Sequence, residues 1–423
     1  MKTNLKKAIL GVLLLIICLA LVLVVARRNG INPDGPEPTT ADTAEPTAKP
    51  TLEPTPEPTP EPTAEPTPEP TPEPTPEIDP LKVRAEEIMS GMTETEKIYQ
   101  LFIVTPESIT GVSAATVAGE TTKKALEQYP VGGIIYNTAN MLSSQQLKDL
   151  VSGTQSYSKL GLFIAADEEG GRVGRLMRTV GTTRLDSMYS YREQGKQKAY
   201  DNACILASDL KAHGFNLDFA PVADVWSNSQ NTVIGDRAYS DDFSQAAELV
   251  ASAVQGFEDS GIACTLKHFP GHGDTAEDSH SSSAYARKSL DEMRNGEFMP
   301  FTAGIEAGAD MVMVGHITAP ELDDQPATFS HLIVTELLRG ELGFDGVIIT
   351  DALGMGAMSG YTDGETAVRA LRAGIDILLM PDSVKDAAEG IRSAVESGEI
   401  TMERIEQSVM RILMLKLEKG IIE

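Results

Sequence analysis

The chain is poor in cysteine, in positive charge and in histidine. Its three cysteines among 423 residues are Cys18, Cys204 and Cys264. Cys18 falls in an apolar run and Cys264 in an expected buried strand, which excludes a disulfide framework and a cysteine-built zinc cluster. Cysteine avoidance suits an exported protein large enough to do without covalent staples. Against 62 acidic residues stand 35 Lys and Arg, a net charge of −27. Residues 1–30 contribute +5 and 31–79 contribute −11, which leaves −21 on 80–423. So acidic a body repels phosphate backbones, and nucleic acid is not an expected partner. No glycine-rich phosphate loop is present either. Histidine is scarce at six residues, yet three of them, His268, His272 and His280, lie between Lys267 and His280. That stretch reads Lys-His-Phe-Pro-Gly-His-Gly-Asp-Thr-Ala-Glu-Asp-Ser-His, a polar loop leaving an apolar strand. A merely structural loop has no need of that concentration.

Two segments precede the globular part. Ala8–Ala26 is an unbroken apolar run of about 19 residues, with lysines before it and Arg27-Arg28 after it. Its length approaches a bilayer span, and the basic N-terminal flank favours a cytoplasmic N-terminus. The expectation is a signal anchor over 1–28, single-pass, with the rest of the chain outside the cell. The alternative is secretion after cleavage near Val24-Val25-Ala26. Residues 29–79 are low in complexity, with Thr-Pro-Glu-Pro repeated from Thr51 to Glu77. Proline removes backbone donors and fixes φ, and the glutamates repel one another, so a disordered, extended stalk of up to roughly 3.1 Å per residue is expected.

From Pro80 onward short apolar runs alternate with amphipathic stretches. The strand candidates are Leu101–Val104, Gly133–Tyr136, Leu162–Ala166, Leu217–Val222, Ala263–His268, Met311–Gly315, Val347–Thr350 and Ile375–Met380. Helical patterns between them include Gln145–Leu160, Lys196–His213, Phe243–Ser260, Leu290–Ala307 and Thr366–Ala373, and Met402–Leu417 closes the chain. Eight β-then-α units predict an α/β fold, a single (β/α)8 TIM barrel over 80–423, rather than an open doubly wound sheet.

In such a barrel chemistry gathers at the C-terminal ends of the strands, and here the polar residues gather there too. They are Asp167-Glu168-Glu169-Gly170-Gly171-Arg172 with Arg175, Ala-Pro-Val-Ala-Asp at 220–224, Gly-Asp-Arg at 235–237, the 267–280 stretch, Gly315-His316 and Thr350-Asp351. Each alone could be a cap or a turn; their shared location argues for a site. A ring of carboxylates and cations suits a neutral, polyhydroxylated substrate, because sugar hydroxyls both donate and accept. Cleaving a glycosidic bond needs a carboxylate at the anomeric carbon and a proton donor for the leaving oxygen. Asp351, ending an apolar strand, would be rigidly held, and His280 with Asp278 two residues before it could supply the proton.

These motifs resemble glycoside hydrolase family 3, most closely its β-N-acetylglucosaminidase branch, and the resemblance spans 80–423. It implies a retaining mechanism with Asp351 as nucleophile and a His280–Asp278 acid/base pair. It also implies that Asp167, Arg175, Arg237, Lys267 and His268 hold the non-reducing sugar. Many members carry a second αβα domain that supplies an acid/base glutamate; this chain ends soon after the eighth helix, which leaves that role to the Asp-Ser-His loop. Ser281-Ser282-Ser283-Ala284 departs from the relatives, where a charged residue and a proline often follow the pair. The expected partner is an oligosaccharide, from cell wall or other glycans, cleaved by a monomer without cofactor or metal. Rival readings are a β-glucosidase or glycoside phosphorylase of the same family, a metal-dependent hydrolase using His268, His272, Asp274, Asp278 and His280, and a non-catalytic wall-binding barrel.

Overall fold

Eight runs of apolar residues, buried on both faces, become eight parallel strands in a computed structural model that describes residues 79–276 and 284–423. They are β1 Phe102–Val104, β2 Gly133–Ile135, β3 Phe163–Ala166, β4 Leu217–Asp218, β5 Ala263–Phe269, β6 Met311–Val314, β7 Val347–Thr350 and β8 Leu378–Leu379. Each pairs in parallel with its sequence neighbour from β1 to β7, and β1 also pairs with β8. An Ile349–Ile377 bridge joins β7 to β8 and completes the ring. The expected α/β barrel is therefore present. Gly133 marks how tightly it packs, since a Cβ there would stand 2.7 Å from the Phe163 carbonyl oxygen.

Only β7 has its expected span; β1, β2, β3 and β6 are each one terminal residue shorter, and the other three differ for local reasons. The fourth stops at Asp218 instead of Val222 because it carries one extra residue there: Asp218 pairs with Cys264 but Val222 bridges Lys267, four residues against three, with Thr265 N donating to Ala220 O at 2.7 Å. The fifth runs on to Phe269, and its ladder against β6 shifts register between Lys267 and Phe269. Before β8, Asp376 and Ile377 give their N–H groups to Ile348 O at 2.7 and 3.0 Å, so only two residues remain regular strand. The fully buried Asp376 reinforces that seam. It accepts from Ile348 N at 3.0 Å and Ser408 Oγ at 2.6 Å, and pairs with Arg339 and with Arg411 at 3.1 Å.

Helices fill the crossovers, and five of the longer ones are started by a side-chain cap. Ser143 caps Ser144–Tyr157, Asp242 caps Phe243–Ser260, Thr362 caps Asp363–Ala373, Ser383 caps Val384–Ser397 and Thr401 caps Met402–Glu418. The expected continuous helix over 290–307 is broken into Leu290–Arg294 and Phe298–Glu306. Between them Gly296 packs on the Phe243 ring and Glu297 turns inward.

Among the described residues no helix is long and apolar enough to cross a membrane. The anchor expected at 1–28 and the stalk expected at 29–79 lie outside the described residues except for Asp79, which caps the helix Pro80–Ser90 by accepting from Leu81 N at 2.9 Å; Asp278, His280 and Ser281–Ser283 also lie outside.

Candidate active site

The C-terminal ends of the strands open into a cavity of about 460 Å³, within the range of small-ligand sites. Asp167, Glu169, Arg172, Arg175, Arg237, Lys267, His268 and Asp351 line it. Of the eight residues singled out in the sequence, six therefore converge here: Asp351, Asp167, Arg175, Arg237, Lys267 and His268. Asp278 and His280 lie outside the described residues.

Alternation sorts the acidic triplet that follows β3. Successive side chains point to opposite faces, so Asp167 and Glu169 face the cavity while Glu168 turns away. There its carboxylate accepts the Leu176 and Met177 N–H groups at 2.8 and 2.9 Å. Burial pushes the Glu168 carboxyl up, and pushes Asp218 well up beside it.

The cavity-facing pair anchors an ion network. Asp167 binds Arg175 at 2.9 Å and Lys267 at 3.1 Å. Lys267 also reaches Glu169 at 2.6 Å, and Glu169 takes both Nε and Nη2 of Arg237 at 2.8 Å each. Burial alone would raise the Asp167 and Glu169 carboxyls, but Lys267 and Arg175 hold the first below its ordinary value and Arg237 and Lys267 hold the second far below. Conversely Lys267 and Arg237 are held above theirs, the carboxylates overcoming desolvation. The network presents a fixed set of donors and acceptors, as ring hydroxyls require.

His268 is oriented by Asp224, missing from the expected site although its motif was noted. His268 Nδ1 donates to Asp224 Oδ2 at 2.6 Å, and Asp224 Oδ1 accepts the His272 N–H at 2.6 Å. His268 and His272 hold Asp224 below its ordinary pKa against the rise that burial alone would cause. Burial pushes His272 down. His268 Nδ1 is committed to Asp224 and His272 Nδ1 contacts Thr275 Oγ1 at 2.7 Å; among the described residues no group of three His, Cys, Asp or Glu is placed to hold a metal. Removing the anchor should weaken the whole corner. Asp224→Asn is expected to lower kcat/KM by about 10- to 100-fold, the worth of a hydrogen bond to a charged group. An unchanged kcat/KM would show that His268 needs no such support.

Asp351 follows β7 and is half-buried. Its N–H donates to Val314 O at 2.9 Å and its Oδ1 accepts from Ala352 N at 2.8 Å. His316 Nε2 contacts Ala352 O at 3.0 Å, and Thr350 Oγ1 accepts from Leu379 N at 3.0 Å, so the turn holding the carboxylate is fixed from both sides.

Sequence reasoning missed the remaining walls. Arg172 reaches over to the carbonyls of Thr232, Val233 and Ile234 at 2.6–2.8 Å and to Asp236 at 2.9 Å, which draws Thr232 and Val233 into the lining. Met380 lines the cavity with a φ of 47°, a strained conformation for a methionine. With Met313, Met355 and Leu379 it forms an apolar side to a polar site.

Comparison with known proteins locates this arrangement. Residues 93–415 match the glycosyl hydrolase family 3 N terminal domain. The chain is 34% identical over 335 residues to the Beta-hexosaminidase A of Pseudoalteromonas piscicida, covering 72% of this chain and 56% of that protein. It is 36% identical over 275 residues to a Beta-hexosaminidase of Stenotrophomonas maltophilia, covering 63% and 82%. A solved family 3 β-N-acetylglucosaminidase from Paenibacillus sp. superposes with a TM-score of 0.74 at 37% identity, covering 78% of this chain and 63% of that one.

Proposed function

The chain belongs to glycosyl hydrolase family 3, and on that premise we propose that it is a retaining exo-β-N-acetylglucosaminidase. It would remove terminal, non-reducing β-linked N-acetylhexosamine from cell-wall or other oligosaccharides. One observation carries the reading: Asp351 opens into the same cavity as the Asp167–Arg175–Lys267–Glu169–Arg237 network and His268. A sugar held by that network would present its anomeric carbon to a carboxylate fixed by its own backbone. The relatives' names and the apolar side of Met313, Met355, Leu379 and Met380 support an acetamido sugar, whose methyl needs an apolar seat.

In this proposal an Asp351 oxygen attacks the anomeric carbon as the bond to the leaving oxygen breaks. His280, oriented by Asp278, gives that oxygen its proton. Water then attacks the glycosyl-enzyme, loses a proton to His280 and restores the Asp351 carboxylate. The 8–26 run would anchor the chain and the Pro-rich stretch would hold the barrel away from the outer face of the membrane; secretion after cleavage is the alternative.

Turnover of nitrophenyl β-N-acetylglucosaminide against nitrophenyl β-glucoside tests the proposal. Preference for the acetamido sugar by at least about tenfold is expected, since a site built around a group rejects analogues lacking it. The rate should be indifferent to chelator. Preference for the glucoside would reassign the substrate, loss with chelator would favour a metal hydrolase, and a sugar phosphate formed in added phosphate would make the enzyme a phosphorylase. Sugar binding that survives Asp351→Ala, with no turnover in the wild type, would favour a binding module.

A further inference from the structure

Both ends of the 276–284 stretch are built into the barrel rim. On the incoming side Asn231 Nδ2 donates to His272 O at 2.7 Å and Asn228 Nδ2 to Asp274 O at 3.2 Å. Gly273 lies so close to Val225 that a Cβ would stand 1.7 Å from its carbonyl oxygen. On the outgoing side Ala284 and Tyr285 pair in parallel with Ile317 and Thr318, and Ala286 N donates to Thr318 O at 3.0 Å. Lys288 joins the two sides. Its Nζ lies 3.6 Å from Asp274 Oδ1, contacts Glu297 Oε1 directly and sits 5.4 Å from the centre of the Phe243 ring.

Glu297 is the unusual member. It is 3% exposed and wedged under Gly271, whose φ is 126° and whose missing Cβ would come within 2.6 Å of Glu297 Cγ. Its Oε2 is buried without a hydrogen-bond partner among the described residues. A buried carboxylate with one unsatisfied oxygen is costly, and an apolar side chain would fill the space more stably. The arrangement instead delivers one charge to one place, the ammonium that spans the two stems.

We propose that Glu297, Lys288 and Asp274 form a brace that fixes the ends of the 276–284 stretch against each other, and that Lys288 is thereby a positioning residue for the acid/base step. This rests on the reading of His280 as acid/base. Proton transfer needs the donor within hydrogen-bond reach of the leaving oxygen, and a misplacement of about 1 Å can cost about 100-fold. A nitrophenolate leaves without a proton, whereas a sugar alkoxide does not, so a loosened brace should penalise natural glycosides alone.

The test compares kcat/KM, which reports steps up to the glycosyl-enzyme, on nitrophenyl β-N-acetylglucosaminide and on the β-1,4-linked N-acetylglucosamine disaccharide. Lys288→Met should lose roughly 30- to 100-fold on the disaccharide and less than about threefold on the nitrophenyl substrate, with Lys288→Arg recovering most of the loss. Asp274→Asn, at a side chain 31% exposed, should lose in the same sense and carries the test if Lys288→Met unfolds. His280→Ala runs alongside. Equal or absent losses in the brace variants, beside a selective loss in His280→Ala, would overturn the brace alone. A His280→Ala variant that loses equally on both substrates would overturn the acid/base reading and the brace with it.

Discussion

Asp351→Asn is expected to lower kcat by about 10⁴- to 10⁶-fold, the scale on which loss of a nucleophile is felt, while changing stability by less than about 1 kcal/mol. The two halves of that expectation have different origins. The amide keeps the carboxylate's shape, and its oxygen can still accept the Ala352 N–H that Asp351 Oδ1 takes at 2.8 Å. The side chain is half-buried and borders the cavity, so little packing changes. A neutral amide, however, cannot form the glycosyl ester. The companion variant Asp351→Gly should be rescued by azide, which would enter the vacated space and give a glycosyl azide of inverted configuration. Activity of Asp351→Asn within tenfold of the wild type would place the nucleophile elsewhere.

How much of this was legible beforehand depended on whether the signal was local. The eight strands could be read because each is a short apolar run ending in polar residues, and Asp351, Lys267 and His268 lie at such ends. Glu169 could also have been found: alternation along 167–169 puts it on the same face as Asp167, whereas three adjacent acids offer no choice by type alone. Asp224 ends a recognised motif, but only the tertiary approach of His268 and His272 shows what it holds. Thr232 and Val233 carry no sign of their place in the wall, because Arg172 brings them there across some sixty residues of sequence. The left-handed backbone of Met380 is likewise invisible to residue type. The helix over 290–307 had the right periodicity throughout, and what broke it was Glu297 turning to meet Gly271 and Lys288.

The network at the cavity floor makes a second strong expectation. Asp167 and Glu169 balance Arg175, Arg237 and Lys267, two negative charges against three positive ones. Glu169→Gln leaves one carboxylate for three cations and turns an amide N–H₂ toward an ammonium or a guanidinium. Breaking a buried pair from one side costs about 3–5 kcal/mol, and Glu169 is only 4% exposed, so a loss of that size is expected at pH 7 from urea midpoints. The pH dependence then tests the cause. The folded Glu169 carboxyl lies far below its ordinary 4.5, burial being outweighed by Arg237 and Lys267. A depressed folded pKa contributes stability that is complete above about 4.5 and is lost as pH falls toward the folded value. The gap between wild type and Glu169→Gln should therefore be full at neutral pH and shrink progressively below about pH 4.5. Asp167, Asp224, Glu168 and Asp218 titrate in both proteins and to first order cancel in that difference. A gap independent of pH would mean that shape, not charge, is what Glu169 supplies. The same variant should raise KM for the acetamido substrate at least tenfold, because Lys267 and Arg237 lose the partner that aims them into the cavity. If stability fell while KM stayed constant, the network would be a structural floor and the sugar would be held by Asp167, Arg175 and His268.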